Sequence, residues 1–72
     1  MNEYSRIVIE KYCMTHRSKR RDHIAYLLEL SYTLATEPTD ADALFLAKAI
    51  DNERNPELKE ALEDLDDYLF GF

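Results

Sequence analysis

Asn55-Pro56-Glu57-Leu58-Lys59-Glu60-Ala61-Leu62-Glu63-Asp64-Leu65-Asp66-Asp67-Tyr68-Leu69-Phe70-Gly71 reads as one amphipathic helix with both ends marked. Asn55 has the short acceptor side chain of an N-cap, Pro56 fits the first helical position, where its missing N–H costs nothing, and Glu57 sits well against the positive end of the helix dipole. Leu58, Leu62, Leu65 and Leu69 follow at spacings of four, three and four, the period of a single buried face. Gly71 is placed to end the helix at about C′.

Working back from this helix, Thr39 or Asp40 caps another that runs to about Glu53. Its Ala41, Ala43, Leu44, Phe45, Leu46, Ala47, Ala49 and Ile50 cover most of the circumference, and a helix apolar on nearly every side is expected to be buried. Pro38 separates it from a third, roughly Asp22 to Thr36, lined by Ile24, Leu27, Leu28, Ser31, Leu34 and Ala35 and widened by Tyr26 and Leu30. In the N-terminal segment Tyr4, Ile7, Val8 and Tyr12 fit a helix face. The β-branched run Ile7-Val8-Ile9 would also suit a strand, but the chain offers it no partner. One Gly and two Pro leave little room for hairpin turns. The expectation is all-α: a compact bundle of three to four short helices, a single domain over residues 1–72, joined near residues 16–21, 37–39 and 52–55.

A chain of 72 residues buries only about 60% of the surface it exposes when unfolded, which argues against a deep catalytic cleft. With Cys13 alone no intrachain disulfide forms, favouring a reducing compartment. Ile7-Val8-Ile9 is followed at once by Glu10 and Lys11, unlike the apolar core of a signal peptide, and no apolar run approaches the ~20 residues of a membrane span. A cytoplasmic protein with no membrane association is expected. So small a core also favours self-association, with a symmetric homodimer burying part of Phe45, Leu46 or the Tyr68 to Phe72 end.

Charge is divided between the halves. Residues 1–36 carry six Lys/Arg against four Asp/Glu, a net of +2, and residues 37–72 carry three against eleven, a net of −8, summing to −6. In the first half, Arg17, Lys19, Arg20 and Arg21 crowd the expected start of the second helix, where orphan N–H groups already favour an anion. A nucleic-acid-associated regulator using this basic 16–23 loop is therefore one reading. Against it, four cations are few for duplex binding and the acidic half repels a polyanion. A solvated loop, or one paired with the chain's own acidic helix, is the plain alternative.

Cys13, His16 and His23 offer ligands three and then seven apart, but zinc wants four and no further Cys or His exists. Neither a metal nor another cofactor is expected. Cys13 and His16 lack the oxyanion-hole element and orienting group that nucleophilic catalysis needs, so the chain is not expected to be an enzyme.

In the second half, Glu57, Glu60, Glu63, Asp64, Asp66 and Asp67 are strung along one helix. They do not face each other across a cleft, so no acid and base pair stands out. Carboxylates repeating at successive turns resemble the charge spacing of a phosphate backbone. In charge and size the chain resembles the small acidic helical proteins of phage and mobile elements that occupy the nucleic-acid channels of restriction or CRISPR enzymes. Asp66-Asp67 with Phe72 also resembles the protein-binding tail of bacterial single-stranded-DNA-binding proteins. What these resemblances imply is a small acidic regulator or inhibitor that binds another protein through Glu60, Glu63, Asp64, Asp67, Tyr68, Phe70 and Phe72. A solvated face, or a structural subunit of a larger assembly, remains the alternative.

Overall fold

The computed structural model describes residues 1–33 and 36–71. Leu34, Ala35 and Phe72 lie outside the described residues, and with them two positions of the expected second-helix face and the expected terminal docking aromatic. Four helices and no strand are present among the described residues: α1 (Glu3–Thr15), α2 (Lys19–Thr33), α3 (Asp40–Asn52) and α4 (Pro56–Phe70). They form a bundle measuring 26 × 22 × 22 Å. α2 and α4 each touch all three other helices, while α1 and α3 occupy opposite corners.

Each helix start has a local cause. Asn2 caps α1, its Oδ1 accepting from the Ser5 amide at 3.0 Å, and Asn55 caps α4, accepting from the Glu57 and Leu58 amides at 2.9 and 3.3 Å. α3 begins with a capping box. The Thr39 hydroxyl accepts from the Asp42 amide at 3.1 Å, and the Asp42 carboxylate accepts from the Thr39 amide at 2.9 Å. α2 begins at Lys19, earlier than the expected Asp22, because Ser18 Oγ accepts from the Arg21 amide at 3.0 Å. Lys19, Arg20 and Arg21 are thus helical, and the connection shrinks to residues 16–18.

The core is Ile9 from α1, Ile24, Leu27, Leu28 and Leu30 from α2, Leu46 from α3, and Leu58, Ala61, Leu62 and Leu65 from α4. Two expectations need correction against it. α1 is rotated from its expected face: Ser5 and Ile9 are buried, whereas Tyr4 and Ile7 are 60% and 50% exposed. Turning the helix this way places Ile9 at the centre and lets Tyr12 and Cys13 cover it from the sides. α3 is not enclosed, despite its all-round apolar character. Leu44 is 60% exposed, and Ala41 and Ala47 also face outward. Gly71 ends α4 as expected, in an extended conformation, φ −79°, ψ 135°. Its amide donates to the Asp67 carbonyl at 2.9 Å, and a Cβ at this position would overlap that same oxygen, so the close approach favours glycine.

α1 and α4 run antiparallel. The Asn2 amide donates to Asp64 Oδ2 at 3.0 Å near the start of α1, and Tyr12 and Thr15 near its end share a cleft with Asn55. Among the described residues no helix is long and apolar enough to cross a membrane.

Candidate protein-binding surface

The buried stripe of α4 dictates where its acids go. With Leu58, Ala61, Leu62 and Leu65 turned inward, Glu57, Glu60, Glu63, Asp64 and Asp67 fall on the outer side of the helix, within an arc of about 120° at 3.6 residues per turn. Glu57, Glu60, Glu63 and Asp67 are exposed and Asp64 is half-buried. Two of the five are engaged. Asp64 accepts from the Asn2 amide, and Glu57 accepts from the Tyr4 hydroxyl, which raises the phenol's pKa. Glu60, Glu63 and Asp67 make no hydrogen bond or ion pair among the described residues. Tyr68, 46% exposed, falls just past the Glu57 and Asp64 edge of the arc, on the opposite side from Glu63.

Phe70 belongs elsewhere. It is half-buried and packs on the core, so it does not join the acidic arc. Asp66, which has turned toward α3, is also half-buried, and burial followed by the charge of Asp67 pushes its carboxyl above the ordinary range. It shares a shallow cleft of about 400 Å³ with Asp51, Lys59 and Glu63, over the apolar side chains of Ala47 and Ile50.

The basic run is distributed differently from the acids. Arg20 is tied into the fold. Its Nη1 donates to the Tyr12 hydroxyl at 2.7 Å, and its Nη2 donates to the Ala49 carbonyl at 3.2 Å and to Glu53 Oε1 at 2.8 Å. Burial alone would lower its pKa, but the hydrogen bonds to Tyr12 and Glu53 outweigh that and hold it above the usual value. Arg21 pairs with its neighbour Asp22 at 3.1 Å. Arg17 and Lys19 are exposed and make no such contact among the described residues. Of four expected anion-binding cations, two therefore face solvent freely.

The three soft ligands are likewise separated. His16 stacks on Tyr12, with its Nδ1 3.2 Å from the Tyr12 carbonyl oxygen. His23 Nε2 meets Asp42 Oδ1 at 2.8 Å while its ring stacks on Phe45, centroids 3.8 Å apart. Cys13 is half-buried, and burial pushes its thiol pKa up. Among the described residues no group of three or more His, Cys, Asp or Glu is placed to hold a metal ion.

Sequence reasoning missed the Arg20 and His23 attachments. Both join residues far apart in the chain, 33 and 19 positions respectively, and no local pattern marks them. Comparison with protein-family profiles, with curated proteins and with solved structures gives no match to this chain.

Proposed function

We propose that this chain is a small protein-binding regulator whose docking surface is the outer face of α4, and that its partner presents a basic groove of the kind that ordinarily holds a nucleic acid. The supporting observation is the arc itself: Glu60, Glu63 and Asp67 project from successive turns with no internal partner among the described residues, and Tyr68 at the edge of the arc adds an exposed ring. Carboxylates left unpaired at this density repel one another, a cost that a basic partner would relieve. Tyr68 supplies the kind of aromatic contact that anchors interfaces.

The test is capture from a host lysate by the immobilised chain, compared with the Glu60→Gln/Glu63→Gln/Asp67→Asn variant. A species held by the wild type, lost by the variant, released by raised salt and displaced by added duplex DNA supports the proposal. Equal capture by both proteins overturns it.

A further inference from the structure

α3 carries more apolar surface than the bundle covers, and the arrangement of that surface is self-complementary. Leu44 is 60% exposed, Ala41 and Ala47 lie exposed one turn to either side, and Phe45 is half-buried against the His23 ring. The charges on this face are Asp40, four residues before Leu44, and Lys48, four residues after it, with Asp51 beyond. We propose that α3 packs antiparallel against α3 of a second copy of this chain, with Leu44 on the two-fold axis. The inference is independent of what the acidic face of α4 binds.

In that pairing, a residue a given number of places after Leu44 lies level with the residue the same number of places before Leu44 in the other copy. Ala41 of each copy lies level with Ala47 of the other, so small residues flank the pair of Leu44 side chains at the centre and the helices can pack within the usual 8–10 Å. Lys48 of each copy then meets Asp40 of the other, at both ends of the contact. Two alternative registers are worse. A dyad between Phe45 and Leu46 sets Asp40 against Asp51, acid on acid. A dyad at Leu46 sets Leu44 against Lys48. Asp51, seven places after Leu44, reaches past the first residue of the other copy's α3 to the level of Glu37 in the preceding connection, and lines the same cleft as Lys59 of its own chain.

Sedimentation velocity from about one to several hundred micromolar tests this. The wild type is expected to pass from 8.5 kDa to twice that mass, and Leu44→Glu to stay monomeric with its helical circular dichroism intact. Lys48→Glu and Asp40→Lys should each weaken dimerisation by about tenfold, since each breaks a pair at both ends, and the double charge swap should restore it. A wild type that stays monomeric throughout, or a dimer that survives Leu44→Glu, overturns the proposal. A folded double swap that fails to regain dimerisation overturns the register.

Discussion

α3 and α4 reverse the expected relation between apolar content and burial. α4 is heavily acidic, yet it gives the core Leu58, Ala61, Leu62 and Leu65. α3 is apolar around most of its circumference and gives that cluster Leu46 alone. Burial has followed how cleanly apolar and polar residues are separated on each helix, not how many apolar residues there are. The two helices consequently rely on packing and polar attachment in different proportions. α4 is fixed by aliphatic packing. α3 has a polar attachment near each end: Asp42 to His23 near its start, and the Ala49 carbonyl and Glu53 to Arg20 near its finish.

The contrast can be broken most forcefully in the core. Leu62→Ala is expected to cost about 2–5 kcal/mol, transfer loss plus cavity, while Leu44→Ala in dilute solution should cost less than about 0.5 kcal/mol. Thermal melts of the two variants decide this; equal losses would mean that α3 is packed as tightly as α4. Next comes the polar attachment at the end of α3. Arg20→Gln should lose on the order of 1–3 kcal/mol because it strips a charged donor from the mostly buried Glu53 carboxylate, whereas Arg17→Gln should stay within about 0.5 kcal/mol. Matching melting temperatures for the two would reduce the Arg20 cluster to a surface ion pair.

A smaller effect belongs to the start of α3. Thr39→Ala removes half of the capping box and should cost about 1 kcal/mol, read from denaturant midpoints. The smallest is pH-dependent. The Thr39 amide, opposed by burial and then helped by His23, holds the Asp42 carboxyl below its ordinary 3.8. A depressed carboxylate stabilises the fold fully above its unfolded pKa, so that contribution should disappear as the pH falls below about 4, and Asp42→Asn should flatten this acid limb. Asp66 works in the opposite sense. Its raised pKa means that ionisation disfavours the fold, so Asp66→Asn should melt slightly higher than wild type at pH 7 and show less of a gain on mild acidification. Melting temperatures taken from pH 7 to 3 separate the two carboxylates.

What could be read in advance follows the same division. α4 was legible because its cap, proline and leucine spacing are all local, and the start of α3 at Thr39 or Asp40 and its end near Glu53 were legible for the same reason. The exposure of α3 was not, because composition says how apolar a helix is and not whether the other helices reach around it. The orientation of α1 turned on whether Ile9 or Ile7 entered the core, and both suit a helix equally. The acidic arc follows directly from the leucine period. The division of the basic run into a structural Arg20 and exposed Arg17 and Lys19 does not, since it depends on Glu53 arriving from 33 residues away.

The meeting of α1 with α4 has a consequence for how the chain folds in time. The contacts from Asn2 to Asp64 and from Tyr4 to Glu57 close loops of 62 and 53 positions, and the entropy of bringing such ends together is on the order of 3–4 kcal/mol. α1, α2 and α3 present only six of the ten core residues between them, one of those from α3. During synthesis, the first three helices are therefore expected to lack a stable common core until α4 emerges, so that the native bundle forms late.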